Sequence, residues 1–248
     1  MYKNVETIIN DDVTSTDDTE NIVEDFKKQG MRVLYVQENT SMAQGRKRGS
    51  SYANGEILLH LDSDMRLEPE VVMECVSLIE RGADALVIPE ESFGIGFWAQ
   101  CKWLEKKCYE GVAQIESLRC LKASVYSAVG GHNPKLVFSE DKDLDIRVKK
   151  AGYTVERTKS KIFHNEGNLS LQGTLSKKFS YVNTADQFAA LHPQEFAWQI
   201  NIFNRFYLYL KNVNYFFKYP HLYLGMLFMK TSEFVVGLLG FIKGKISV

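Results

Sequence analysis

The sequence predicts an α/β protein: a mostly parallel, doubly wound sheet flanked by helices, then a helical C-terminal segment. Three observations lead there. From Val5 to Pro89, apolar runs of strand length alternate with amphipathic stretches of helix length. The connections have the length of βαβ units, which favour a right-handed parallel sheet. From Leu169 onward the chain becomes aromatic and basic, with long apolar runs. The expected division is an α/β domain over 1–168 and a helical region over 169–248.

Val5 to Ile9 alternates and is β-branched, which marks a strand. It runs into Asn10 to Thr19, rich in loop and helix-capping residues. Ile22, Val23 and Phe26 give the next helix its face, and Gly30 stops it. Arg32 to Gln37 is a second strand. A helix from Met42 to Ala53 carries Arg46, Lys47 and Arg48 and ends at Asn54-Gly55. The apolar run that starts at Ile57 reads as a strand buried on both faces. Pro69 suits the start of a helix over Glu70 to Arg81, with Val71, Val72, Cys75, Leu78 and Ile79 inward. Asp84 to Pro89 is another strand. Ser92 to Phe97 is interrupted by Gly94 and Gly96 and is expected to be a mobile loop. Phe97 to Val112 is helical. Ser117 to Leu121 is a short strand, and Ala123 to Val129 a short helix closed by Gly130-Gly131. Ser139 is placed to cap a helix from Glu140 to Ala151. Short strands follow at Tyr153 to Arg157 and Lys161 to His164.

Apolar residues at 45% and charged residues at 25% exclude a disordered chain. A net charge of −1 gives no global attraction to nucleic acid, so no such partner is expected. Cys75, Cys101, Cys108 and Cys120 have no metal-binding spacing and are expected to be reduced, buried residues of a cytoplasmic protein. Met1 to Glu6 shows no leader-like apolar run.

Asp62-Ser63-Asp64 ends the central apolar run. Ligand sites in α/β sheets gather at the carboxyl ends of strands. Residues i and i+2 of an extended chain point the same way. Two carboxylates held like that repel unless a cation lies between them. A divalent-metal site and a solvated turn are both compatible with this stretch. Further acidic groups flank it: Asp11-Asp12 with Ser15-Thr16-Asp17 upstream, and Glu140-Asp141-Lys142-Asp143-Leu144 with Arg147 downstream. Glu140-Asp141 also suits the ordinary acidic first turn of a helix.

Asn39, Arg46, Gly49, Ala53 and Gly55 lead to the Asp-Ser-Asp motif, and Val129-Gly130-Gly131 and Ala151-Gly152-Tyr153 flank the Glu-Asp pair. Together these motifs resemble the inverting family 2 glycosyltransferases of the GT-A (Rossmann-like) fold, over roughly Val5 to Gly167. The resemblance implies a nucleotide-sugar donor, a UDP- or GDP-sugar, with Mn²⁺ or Mg²⁺ as cofactor. It implies that Asp62 and Asp64 hold the metal that neutralises the departing diphosphate, Asp64 being the direct ligand. Asp11 and Asp12 fall where the family binds the nucleotide, and Arg46 is a candidate for the diphosphate. Asp141 would be the base that takes the acceptor's proton, with Glu140 positioning it. His164 falls where related enzymes complete the metal shell. Trp98 and Trp103 either wall an acceptor groove or belong to the core. The family's opening strand and helix have no counterpart before Val5. The expectation is a domain trimmed at its N-terminus, or a chain that starts upstream.

In the C-terminal region, Ile200 to Phe217 is apolar and aromatic with Arg205 and Lys211 interspersed, and Pro220 breaks it. Leu222 to Ile242 is long enough to span a bilayer. Lys230 and Glu233 near its middle disfavour simple spanning. An interfacial or re-entrant helix pair suits it better; a helical subdomain packed on the core or on a second subunit is the alternative. The combined expectation is a metal-dependent inverting glycosyltransferase, peripheral or monotopic on the cytoplasmic membrane face. Its acceptor would be lipid-linked or a glycan, and a homo-oligomer is compatible with it. The alternatives are a non-catalytic nucleotide-sugar-binding or scaffold protein of this fold, and a nucleotidyltransferase that releases pyrophosphate.

Overall fold

A computed structural model of the chain describes residue 2, residues 4–182 and residues 184–246. Met1, where the resemblance sets the trimmed start, lies outside them. In chain order the elements begin with β1 (Thr7–Asp11), α1 (Thr19–Lys28), β2 (Val33–Gln37), α2 (Met42–Tyr52) and β3 (Ile57–Leu59). Then come β4 (Met65–Leu67), α3 (Val71–Glu80), β5 (Ala85–Val87), β6 (Glu90–Ile95) and α4 (Phe97–Tyr109). They are followed by β7 (Leu118–Lys122), α5 (Ala123–Ala128), α6 (Glu140–Lys150), β8 (Val155–Arg157) and β9 (Ile162–Asn168). The rest is helical: α7 (Leu171–Val182), α8 (Ala185–Leu191), α9 (Pro193–Ile200), α10 (Ile202–Lys211), α11 (Asn214–Lys218) and α12 (Pro220–Ile246). The α/β character is as expected, with both parallel and antiparallel pairs. Hydrogen bonding divides the strands into three sheets, β1-β2, β3-β7-β5-β8 and β4-β9-β6.

Two compact units emerge, each built from several chain segments. The first comprises Met1–His60, Val72–Leu86 and Leu118–Glu156. In it β1 and β2 run parallel, and β3 runs antiparallel to β7. Leu58, Cys75, Leu118, Cys120, Leu121 and Leu144 are buried. Of the expected face of α1, Val23 is buried, whereas Ile22 and Phe26 remain exposed. Ser41 and Gln44 form a reciprocal capping box at the start of α2. Ser139 does not cap α6 as expected. It is left-handed (φ 55°) and its side chain makes no cap hydrogen bond. Glu140, Asp141 and Asp143 in the first turn and Arg147, Lys149 and Lys150 in the last complement the helix dipole instead.

The second unit comprises Leu61–Val71, Val87–Ser117 and Arg157–Val248. The expected mobile loop at Ser92 to Phe97 is β6 for most of its length, running parallel to β9 with an irregularity between Phe93 and Ile95. Gly94 serves close packing there: a Cβ on it would lie 2.7 Å from Gly167 O and 2.9 Å from the Ala99 Cβ. The core of this unit joins Cys101, Leu104 and Cys108 of α4 to Leu208 and Tyr209 of α10 and to Leu222, Tyr223, Met226 and Met229 of α12. Trp98 and Trp103 pack against this core. Helix α12 lies on α4 and α7. Lys230 and Glu233, the charges that interrupt its apolar run, are buried. Lys230 Nζ lies 2.8 Å from Glu105 and 2.6 Å from Glu233, and Lys102 Nζ lies 2.9 Å from Glu105. All four cysteines are free and buried, as expected.

Candidate active site

The acidic motif follows β3 by two residues, but not on an extended chain. Met65 N–H donates to Asp62 O at 3.0 Å, so the chain turns at Asp62-Ser63-Asp64 before β4 begins. The expected same-side projection of two strand residues therefore does not apply. Strand β4 pairs antiparallel with β9 so that Met65 stands opposite His164. Asn165 N–H donates to Asp64 O at 2.8 Å, which fixes the turn to β9. This register brings His164 Nε2 to 3.2 Å from Asp64 Oδ2. On the other side of β9, Ser92 of β6 stands opposite His164. Glu90, two residues earlier, puts its carboxylate 3.7 Å from His164 Nδ1. That is beyond hydrogen-bond length, but the nearby Glu90 carboxylate outweighs burial and raises the imidazole pKa above its ordinary value. Sequence reasoning missed Glu90. Its place just past Pro89, at the end of an expected strand, was the available signal.

Asp64 and His164 offer an oxygen and a nitrogen donor, and Asp62 lies in the same turn as Asp64. Mn²⁺ and Mg²⁺ accept such donors. The described residues contain no cluster of three or more such ligands. The pair therefore fits an open site, in which other ligands would complete the coordination.

In the first unit the expected residues gather in two places. Glu140, 3% exposed, accepts from Arg46 Nη1 at 2.6 Å, which ties α2 to the start of α6. Burial, then the neighbouring Asp141, raises the Glu140 pKa against the opposing pull of Arg46. Asp141 is half-buried beside it and accepts from the Lys142 N–H at 2.8 Å. The preceding loop is clamped: Arg147 donates to Val129 O, to Gly131 O at 2.7 Å and to Asp143 at 2.6 Å, and Lys47 donates to Gly130 O at 3.1 Å. The left-handed backbone of Ser139, immediately before the pair, is a conformation that functional segments often hold. At the end of β1, Asp11 accepts from Tyr35 Oη at 2.8 Å, which pushes the tyrosine up to about 12. Asp12 instead shapes the following turn, accepting from Thr14 N–H at 2.8 Å and Thr14 Oγ1 at 2.6 Å, and these bonds lower its pKa.

Residues 1–124 of this 248-residue chain match the family described as Glycosyl transferase family 2. The chain belongs to glycosyl transferase family 2. Asp11, Asp12, Arg46, Asp62 and Asp64 lie within the matched residues, whereas Glu140, Asp141 and His164 lie beyond them. Its fold is shared with solved structures, among them TarS and PcManGT. S. aureus TarS is 17% identical with a TM-score of 0.51, over 71% of this chain and 33% of TarS. This chain thus spans about a third of that protein's length. The mannosyltransferase PcManGT from Pyrobaculum calidifontis, solved in complex with GDP-Man and Mn²⁺, is 13% identical with a TM-score of 0.66, over 96% of this chain and 77% of PcManGT. No curated protein matches the chain.

Proposed function

We propose that this family 2 glycosyltransferase is metal-dependent and inverting. It moves a sugar from a UDP- or GDP-sugar to a lipid-linked or glycan acceptor at the cytoplasmic face of a membrane. The observation that carries the reading is the Asp64–His164 pair: a carboxylate in an acidic turn of the matched region, with the imidazole of β9 3.2 Å from it. The GDP-Man and Mn²⁺ of the mannosyltransferase with the same fold support it. Asp64 and His164, with Asp62, hold Mn²⁺ or Mg²⁺. When bound, such an ion neutralises charge growing on the departing diphosphate. Asp11 and Asp12 bind the nucleotide part of the donor. Asp141 takes the proton of the acceptor hydroxyl as that oxygen attacks the anomeric carbon, and Glu140 orients it. A single displacement of this kind inverts the anomeric centre.

The test is release of UDP or GDP from a panel of nucleotide sugars with Mn²⁺ or Mg²⁺. Asp141→Asn should lower turnover by about 10²–10⁴-fold, the usual contribution of a positioned acid or base, and Asp64→Ala should lower turnover by removing a metal ligand. Undiminished turnover in both variants overturns the assignment.

A further inference from the structure

The second unit carries an apolar face that its own core leaves uncovered. On α10, Phe203, Tyr207 and Leu210 recur at helical spacing and are exposed; Phe203 is 80% exposed, and Phe217 of α11 is 79% exposed. On α12, Leu224, Phe228, Val235, Leu238 and Ile242 form an exposed stripe on the side away from Met226, Met229 and Lys230. The two faces are continuous. Phe206, Leu210, Val213, Leu224 and Leu227 share a groove of about 200 Å³, walled by apolar and aromatic side chains. Phe228 then meets Trp98, which meets the exposed Phe97. Contiguous exposed apolar surface of this kind marks an interaction site.

Charge selects the occupant. From Phe196 to Ser232 the sequence holds no Asp or Glu, while it holds Arg205, Lys211, Lys218 and Lys230. Lys230 is committed to Glu105 and Glu233, and Arg205 stacks on Tyr109 and Trp198. Lys211 and Lys218 are exposed, next to the exposed Leu210 and Phe217. A second copy of this face would set like charges against each other. An anionic bilayer offers apolar depth for the aromatic side chains and negative headgroups for the lysines. We propose that this α10–α12 face docks in-plane on an anionic lipid surface, with Phe203, Tyr207 and Phe217 inserted and Lys211 and Lys218 at the headgroups. The proposal rests on the membrane-face part of the reading above and deepens it. It assigns α12 a half-submerged position, with the Lys230 side held on the protein.

Flotation tests it on the full chain, with no donor, acceptor or metal present. Vesicles are phosphatidylglycerol with phosphatidylcholine, or phosphatidylcholine alone. The wild type should float with the anionic vesicles, weaken at least ten-fold in 0.5 M NaCl and bind the neutral ones poorly. Phe203→Ser with Phe217→Ser, and separately Lys211→Glu with Lys218→Glu, should each reduce vesicle binding at least ten-fold. All four positions are solvent-facing, so far-UV circular dichroism and thermal unfolding should match the wild type. Absence of wild-type flotation, or flotation unchanged in both double variants, overturns the proposal. So does a dimer in light scattering that Phe217→Ser dissolves, which would assign the face to a second copy. Calorimetry with UDP and Mn²⁺ reads the transferase site independently, so failure of the two readings is distinguishable.

Discussion

Arg46 joins the family-matched half of the chain to the start of α6, and its removal tests what that link does. Arg46→Met leaves Glu140 buried without its cation. Breaking one partner from a buried ion pair costs roughly 3–5 kcal/mol. For a chain of this length, each kcal/mol lowers the melting temperature by about 2–4 °C. The expected drop at pH 7 is thus roughly 6–20 °C by calorimetry or tryptophan fluorescence. Glu140 already has a raised folded pKa, and removing Arg46 raises it further. A carboxyl raised in the folded state destabilises above its unfolded pKa, and protonation relieves this as pH falls. The gap between variant and wild type should therefore narrow from pH 7 to pH 5. Adding Glu140→Gln removes the stranded charge and should restore most of the stability. Kinetics separate two roles. If Arg46 positions the Glu140-Asp141 segment, Arg46→Met lowers kcat and leaves the donor KM unchanged. If it contacts the diphosphate, the donor KM rises in the single and the double variant alike. A loss below about 1 kcal/mol, or a double variant as unstable as Arg46→Met, refutes the counter-ion reasoning.

Three further outcomes follow from buried groups and close packing. Lys230→Met should destabilise by roughly 3–5 kcal/mol, while Lys230→Met with Glu233→Leu, which keeps the charge balance, should recover most of it in urea titrations. Burial, then His60 and Arg46, lowers the His132 pKa to about 2, so folded His132 stays neutral where the unfolded chain takes up a proton. Stability from this group is fully present above about pH 6.5 and falls by about 1.4 kcal/mol per pH unit below it, or about 2 kcal/mol by pH 5. His132→Gln should flatten that slope. Gly94→Val should cost about 1–3 kcal/mol by overpacking against Gly167 and Ala99. A variant that unfolds like the wild type would mean the β6–β9 contact is loose.

Periodicity located most elements because their burial is regular; Val71, Cys75 and Ile79 line the inner face of α3 as spaced. It failed where the deciding contact is distant in sequence. A glycine in Ser92 to Phe97 reads as a loop until Gly167 is seen against it. The three residues of β4 are too few to show any period, and the antiparallel match of β3 with β7 joins segments about sixty residues apart. The candidate site shows the same limit. The family resemblance named Asp62, Asp64 and His164 as candidates, and the strand register supplied the Asp64–His164 distance. Glu90 was hidden because its carboxylate approaches His164 only through the pairing of β6 with β9.

Helix α12 shows why mean hydropathy alone could not place the C-terminal region. Pro220–Lys243 is long and apolar enough to cross a membrane by length and composition, yet 39% of its most apolar window is buried within the protein. Its apolar residues serve two environments. Leu222, Met226 and Met229 fill the core with α4, whereas Leu224, Phe228 and Val235 face outward. Hydropathy adds both sets together. Lys230 and Glu233 separate them, because a buried lysine needs a carboxylate and finds Glu105 on α4. Burial raises the Glu105 pKa, but Lys102 and Lys230 outweigh it and hold that carboxyl below its ordinary range. Its contribution is therefore present above about pH 4.5 and lost on acidification through its folded pKa. Charges that disfavour a lone spanning helix here join the apolar contacts of Leu222, Met226 and Met229 in holding one side of α12 to the protein. Acidification should then loosen α12 before the apolar core fails. Glu105→Gln lacks the carboxylate at every pH, so hydrogen exchange should show α12 amides near Lys230 less protected than in the wild type already at pH 7, and equal protection in the two would remove the ion pair from this role.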